Sequence, residues 1–117
     1  RGWEQQAAYF IDTHPAVRAF VKNAGLGFAI PYLHNGQMHD YVPDFIIRLD
    51  SPQERYLLLE TKGYDPLAEI KESAAHRWCA AVSAQGGFGT WTYQLIRHTD
   101  QIRGILDQAR STERGKL

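Results

Sequence analysis

Residues 43–63 read PDFIIRLDSPQERYLLLETKG. Two apolar runs in this segment predict β-strands, at Asp44–Leu49 and Tyr56–Lys62. The polar residues 51–54 between them predict a tight turn, because serine and proline both favour turn conformations. The segment is therefore predicted to form an antiparallel hairpin centred on Pro52.

Three polar side chains fall together at the open end of this hairpin. A turn centred on Pro52 places Asp44 directly opposite Glu60, and directly opposed residues of an antiparallel pair lie on one face of the sheet. Lys62 shares that face with Glu60, because alternate residues of a strand point the same way. We therefore predict that Asp44, Glu60 and Lys62 converge without any special bending of the chain.

These residue types favour a divalent metal and phosphate chemistry. Two carboxylates this close repel each other unless a cation lies between them, and Mg²⁺ prefers oxygen ligands and retains several waters. Asp44, Glu60 and the backbone carbonyl of Thr61 are the predicted metal ligands, for Mg²⁺ or for Mn²⁺ in its place. Such a metal polarises a phosphate oxygen and activates a water. Lys62 is predicted to position that water or to stabilise the charge that develops on phosphorus.

The same residues resemble a known nuclease signature. Pro43-Asp44 followed by Glu60-Thr61-Lys62 resembles the PD-(D/E)xK motif, in which the aspartate opens one strand and the glutamate and lysine end the next. The resemblance to the C-terminal endonuclease domain of type III restriction enzymes extends from Trp3 to Ile96. It is carried by Trp3-Glu4, LGFAIPY (26–32), YVPDF (41–45), ETKG (60–63), Arg77-Trp78 and GTW (89–91).

The resemblance implies a restriction-endonuclease-like core and Mg²⁺-dependent cleavage of double-stranded DNA. It also implies two partners: an ATP-dependent helicase motor in the same polypeptide, and a methyltransferase subunit that recognises the DNA sequence. The chain begins with Arg1 rather than methionine. Residues 1–117 are therefore interpreted as a single endonuclease domain, the C-terminal fragment of a longer helicase–nuclease polypeptide.

Glu4 enters the prediction through the resemblance alone. It corresponds to the first-helix glutamate of the superfamily, which implies a further catalytic residue that binds the metal directly or through a water. The alternative is an exposed glutamate in the first turn of a helix, where the helix dipole favours a negative charge.

The elements before the hairpin are predicted from hydrophobic spacing and turn signals. They are a helix over Trp3–His14, a short helix from Pro15 to residues 23–25 with Val17, Phe20 and Val21 facing inward, and strands over Phe28–His34 and Gln37–Val42. Asn35-Gly36 is a strong signal for a two-residue turn between those strands, because both residue types tolerate positive φ.

The elements after the hairpin complete the predicted fold. They are a helix from Asp65 to Gln85, a strand over Trp91–Arg97, a helix over Thr99–Arg110 and a polar tail that frays. A helix that joins two strands of one sheet normally makes them parallel. The prediction is an α/β fold with a central mixed β-sheet flanked by helices.

Charge and composition narrow the function. Lys plus Arg and Asp plus Glu each number 13, which excludes a domain that holds DNA by a large basic surplus. No apolar run approaches the ~20 residues needed to cross a bilayer, and no signal peptide is recognisable. Cys79, the single cysteine, excludes an intrachain disulfide and is interpreted as a buried apolar residue. A cytoplasmic location fits these features best.

Other interpretations remain beside the type III assignment. A DNA-repair or junction-resolving nuclease of the same superfamily is the first, and the missing basic patch counts against it. A non-catalytic DNA-associated binding module is the second, and the complete acid–lysine set counts against that. Lys71 and His76 are interpreted as solvated, with contact to the scissile phosphate as the alternative. Trp78 and Trp91 are interpreted as core residues rather than DNA-stacking platforms.

Overall fold

The computed structural model describes residues 2–115, which form three helices and six strands. In chain order these are α1 (Gly2–Thr13), β1 (Val17–Lys22), β2 (Ile30–His34), β3 (Gln37–Tyr41), β4 (Phe45–Leu49), β5 (Arg55–Thr61), α2 (Ala68–Gln85), β6 (Thr90–Ile96) and α3 (Gln101–Gly115). None of the helices in this range combines the length and the apolar character needed to cross a membrane.

Four strands form a mixed sheet in the order β1-β4-β5-β6. Strands β1, β4 and β5 pair antiparallel, while β5 and β6 pair parallel and are joined by α2. The remaining strands, β2 and β3, form a separate two-stranded sheet. Pro43 lies between β3 and β4 and has no amide hydrogen for a continuous ladder. The predicted α/β class, with a mixed sheet flanked by helices, is confirmed.

Helices and the small sheet cover both faces of the main sheet. One core joins α1 and α3 to the sheet, and its members include Ala7, Ile11, Phe45, Ile47, Ile102 and Leu106. The other core joins α2 and the β2–β3 hairpin to the opposite face, with Ile30, Tyr41, Leu58, Ala75, Cys79 and Tyr93 among its members. Trp78 and Trp91 pack against this second core as predicted, and burial raises the pKa of the Cys79 thiol to about 11.

The prediction of a short helix after Pro15 is wrong, because this segment is strand β1. Val17 pairs with Leu49 and Ala19 with Arg48, so Arg18 is the extra residue of a β-bulge. The bulge places Val17 and Phe20 on the same face of the sheet, where both pack against the α1–α3 core. Their spacing of three residues imitates a helical repeat, although the backbone is extended.

The turns and helix ends refine the remaining boundaries. Asn35 and Gly36 adopt φ values of 52° and 74°, which confirms the predicted two-residue turn. Helix α2 begins at Ala68, three residues after the predicted cap, because Asp65 Oδ1 instead accepts a hydrogen bond from the Leu67 amide (2.9 Å) in a preceding turn. Helix α3 continues to Gly115 rather than fraying after residue 110; the predicted tail at 116–117 lies outside the described residues.

Candidate active site

The carboxyl groups of Asp44 and Glu60 lie where β4 begins and β5 nears its end. The observed pairing of Phe45 with Leu59 extends by one residue to place Asp44 opposite Glu60, as the hairpin register predicts. The Asp44 amide donates a hydrogen bond to Glu60 Oε1 (3.1 Å). Thr61 in turn donates its amide and its hydroxyl to Asp44 Oδ2 (2.9 and 2.8 Å). Each acid is therefore fixed by the strand that carries the other.

Lys62 completes the predicted set on the same side of the strand. Its Nζ lies 3.6 Å from Glu60 Oε2, and its side chain is 39% exposed whereas that of Glu60 is 4% exposed. The Lys62 amide is anchored on the Ile96 carbonyl (3.1 Å), which ties the end of β5 to β6. The ammonium group thus stands at the open side of a nearly buried carboxylate.

The charge of Glu60 is only partly compensated by its surroundings. Burial and the neighbouring charge of Asp44 raise the pKa of Glu60 to about 7, against smaller opposing effects of Tyr41, Lys62 and the Asp44 amide. A buried carboxylate next to a second acid favours either a proton or a metal cation. The site is therefore electrostatically suited to bind a cation between Asp44 and Glu60.

Two tyrosines support Glu60 from the side of the β2–β3 hairpin. The hydroxyls of Tyr41 and Tyr93 lie 2.6 Å apart, and the Tyr41 hydroxyl also stabilises the charged form of Glu60. An ionised carboxylate only accepts hydrogen bonds, so the consistent arrangement has Tyr93 donating to Tyr41 and Tyr41 donating to Glu60. Burial raises the pKa of both tyrosines well above the usual range of a tyrosine hydroxyl. For Tyr41, the negative charge of Glu60 is the second largest cause.

Lys71 also reaches this region, which corrects its interpretation as a solvated residue. Its Nζ lies 2.9 Å from Asp65 Oδ2, and the two side chains are only 20% and 11% exposed. Both residues line a small cavity together with Tyr41, Glu60 and Lys62. His76, by contrast, keeps a 58% exposed side chain, as expected for a solvated residue.

Asn23 holds the backbone around Asp44 in place. Its amide donates to the Asp44 carbonyl (2.7 Å), and its buried side-chain Nδ2 donates to the carbonyls of Pro43 (3.0 Å) and Phe28 (3.1 Å). From the sequence, Asn23 is predicted to lie at the end of a helix, which is wrong because it follows strand β1. Its contacts depend on β1 lying beside β4, and nothing local in the sequence indicates that arrangement.

Glu4 lies apart from the acids of the sheet. Its Oε2 pairs with Lys22 Nζ at 3.0 Å, and both side chains are 44% exposed. Lys22 is in register with Phe45, so Glu4 is at the same end of the sheet as Asp44, on the α1 side. The Lys22 hydrogen bond and charge lower the pKa of Glu4. The structure thus brings together Asp44, Glu60, Thr61 and Lys62, while the metal-binding role of Glu4 stays a prediction.

The donor set near Asp44 fits a small hard cation held by few protein ligands. Among residues 2–115, no three His, Cys, Asp or Glu side chains are grouped to hold a metal. Two carboxylates with one backbone carbonyl are nevertheless typical of Mg²⁺, which keeps several waters and needs only one or two protein acids. Asp44 directs only Oδ2 to Thr61, which leaves Oδ1 without a donor within the described range.

The fold and its site define an α/β protein with two acids and a lysine at one end of a mixed sheet. Comparisons of the chain with protein-family models, with curated proteins and with solved structures found no match.

Proposed function

We propose that this chain is a Mg²⁺-dependent endonuclease domain with a restriction-endonuclease-like PD-(D/E)xK core, and that it hydrolyses phosphodiester bonds of double-stranded DNA. The observation that carries the proposal is the arrangement of Asp44, Glu60 and Lys62 at the end of β4 and β5. A buried carboxylate beside a half-buried one, with an adjacent, accessible ammonium group, supplies what metal-assisted phosphodiester hydrolysis requires.

The metal would be held by the carboxylates of Asp44 and Glu60 and by the Thr61 carbonyl, with Mn²⁺ able to replace Mg²⁺. Its contribution when bound is to polarise a phosphate oxygen and to make a water more acidic. Thr61 keeps Asp44 oriented through two hydrogen bonds. The Asp44 amide and the Tyr41 hydroxyl do the same for Glu60. The acids therefore need little rearrangement on binding a cation.

Lys62 is the residue of this chain that acts on the reacting groups. Its ammonium is beside Glu60 yet open to solvent, so a phosphate at the site would meet it directly. A fixed positive charge stabilises the negative charge that develops on phosphorus and holds the attacking water in place.

The wider proposal is that the domain is the cleavage module of a type III restriction enzyme. The sequence resemblance from Trp3 to Ile96 supports it, and so does the absence of net charge. A chain without a basic surplus gains little from counterion release on DNA. The helicase motor and the methyltransferase subunit of such an enzyme would hold the DNA and select the sequence.

Calorimetric titration of the 117-residue chain with Mn²⁺ tests the metal site. Asp44→Asn retains an oxygen for Thr61 but removes the charge, so we expect Mn²⁺ binding to be lost. Asp50→Asn is the matched control, because Asp50 lies just beyond the other end of β4 and pairs with exposed Arg18. Equal Mn²⁺ affinity of the wild type and Asp44→Asn would overturn the metal assignment and the function with it.

A further inference from the structure

Lys71 occupies an unusual position for a helix lysine. It lies in the first turn of α2, yet only 20% of its side chain is exposed. Its Nζ bonds Asp65 Oδ2 and lies 5.8 Å from the centre of the Tyr41 ring. Holding a flexible lysine in this way costs side-chain entropy and partial desolvation. A largely buried ion pair of this kind contributes little to stability, because desolvation offsets much of the Coulomb attraction.

The cavity beside Lys71 is the one that Glu60 and Lys62 line. Asp65 is influenced by both lysines: its pKa is lowered by the Leu67 amide first, then by Lys71 and by the charge of Lys62. Asp65 is therefore paired with Lys71 and also senses the charge of Lys62, which lines the same cavity. The α2 N-terminus contributes further positive potential at Ala68, which lines the same cavity.

The charges of the cavity change sign when a divalent cation binds. Glu60 and Asp65 line the cavity and Asp44 lies beside it. When all three acids are ionised they carry three negative charges, against two positive charges on Lys62 and Lys71. A divalent cation adds two more positive charges, so the net charge of the cluster changes from −1 to +1. A site with this balance attracts an anion, and lysine is a common point-charge ligand of phosphate.

We propose that Lys71 binds a second phosphate of the nucleic-acid backbone, next to the phosphate that is cut, and that Asp65 occupies the place of that phosphate in the free protein. The proposal rests on the proposed function for the identity of the substrate. Lys62 acts on the phosphate that is cut, and Lys71 binds the adjacent phosphate. Loss of Lys62 should therefore lower the rate of cleavage, whereas loss of Lys71 should weaken DNA binding.

Binding of a fluorescent DNA duplex, with Ca²⁺ in place of Mg²⁺ to separate binding from cleavage, tests the assignment. We expect Lys71→Met to weaken binding about tenfold at low salt and to reduce the slope of log Kd against log salt by about 0.9, the loss of one phosphate contact. Lys71→Arg should restore both quantities. Arg103→Met is the matched control, since it removes one charge from α3 on the opposite side of the sheet and should leave the slope unchanged.

Asp65→Asn separates a phosphate ligand from a structural ion pair. Asparagine retains an oxygen to accept the Leu67 amide hydrogen bond but no longer competes with phosphate, so this variant should bind the duplex more tightly. The proposal is overturned if Lys71→Met and Arg103→Met behave alike, or if Asp65→Asn and Lys71→Met weaken binding together.

Failure of the proposed function has a different signature. It appears as Mn²⁺ binding that does not depend on Asp44, measured without DNA. If Mn²⁺ binding is independent of Asp44 while Lys71→Met still lowers the salt slope, the phosphate site stands and the nuclease proposal falls. If Asp44 controls Mn²⁺ binding and Lys71 has no effect on DNA, the reverse holds.

Discussion

Glu60 is held in surroundings that favour its neutral form. The residue is 3% exposed, its pKa is raised to about 7 by burial and by Asp44, and its nearest cation is 3.6 Å away. The carboxylate is held in this buried position because Tyr41 and the Asp44 amide donate hydrogen bonds to it from two sides. In the absence of metal, the ionised Glu60 therefore opposes folding at neutral and alkaline pH.

Replacement of this acid should stabilise the metal-free protein in a pH-dependent way. The pKa of Glu60 is higher in the folded protein than its ordinary 4.5, so the folded state binds the additional proton and loses stability as pH rises from about 4.5 to 7. Above that window the ionised group costs on the order of 3 kcal/mol. Glu60→Gln should thus raise the free energy of unfolding at pH 8 far more than at pH 5.

Urea denaturation with a chelator present measures this effect. Glu69→Gln, at an exposed position in the first turn of α2, is the control and should show no comparable gain at pH 8. Equal gains for Glu60→Gln at the two pH values would contradict the raised pKa.

Lys62 should affect catalysis and leave metal binding intact. Lys62→Met removes the ammonium group and keeps the length of the side chain, so Mn²⁺ should still bind while DNA cleavage by the assembled enzyme falls about 100-fold or more. Arg18→Met, at an exposed position on β1, is the control. Normal cleavage by Lys62→Met would remove Lys62 from the mechanism.

The predicted part of the site is the part that depends on local pairing. The proximity of Asp44, Glu60 and Lys62 is set by the register of one hairpin and by the two-residue period of a strand. It can therefore be predicted from the sequence. Tyr41 reaches Glu60, and Lys71 reaches the cavity that Glu60 lines, because the β2–β3 hairpin and α2 lie over the sheet. That packing depends on side chains far apart in the chain, and no motif around either residue indicates it.

At the scale of elements, the start of β6 depends on a close backbone approach. The Thr90 amide donates to the Glu54 carbonyl (2.9 Å), which begins the parallel pairing of Arg55 with Thr90. Gly89 adopts φ 82°, and a Cβ there would lie 2.7 Å from the Glu54 carbonyl oxygen. A glycine at this position is therefore required by conformation and by space.

Two alanine substitutions in the same loop should have opposite outcomes. Gly89→Ala should destabilise the protein by about 2 kcal/mol or more, because it combines a left-handed backbone with a collision. Gly87→Ala, where φ is not positive and nothing lies within 4 Å of the new carbon, should be neutral or mildly stabilising. Thermal and urea denaturation compare them, and similar stabilities would contradict the close approach.

The error in the sequence prediction at β1 has an elementary cause. A bulge at Arg18 shifts the alternation, so Val17 and Phe20 point to one core although they are three residues apart. In a segment this short, a three-residue spacing between apolar residues cannot be distinguished from the spacing of a helix. Strand β4 supplies backbone hydrogen-bond partners to β1. This stabilising contribution comes from a distant part of the chain and cannot be inferred from the residues of β1 alone.

At the scale of the whole molecule, the surface offers little to hold DNA. Positive and negative side chains are equal in number, and four of the described cations are already paired with acids: Arg18 with Asp50, Lys22 with Glu4, Lys62 with Glu60, and Lys71 with Asp65. Each of these cations must exchange its acid for a phosphate before it can neutralise DNA. Affinity for nucleic acid should therefore depend on partners.

The 117-residue chain alone should cleave plasmid DNA weakly or not at all in Mg²⁺. A gel assay of supercoiled plasmid measures this, with Asp44→Asn prepared in parallel to detect contaminating nuclease. Efficient cleavage at low protein concentration, absent from Asp44→Asn, would contradict the dependence on partners and would favour a DNA-repair or junction-resolving nuclease.

The bulge in β1 also bears on how the length of this chain can vary. Val17 and Ala19 pair with adjacent residues of β4, Leu49 and Arg48, so removing Arg18 would leave a regular ladder with every neighbouring side chain on its original face. A one-residue deletion inside a strand ordinarily exchanges the inner and outer faces. Here we expect a sequence that lacks Arg18 to keep the same strand pairing and to lose only the contacts of Arg18 with Asp50 and Ser51.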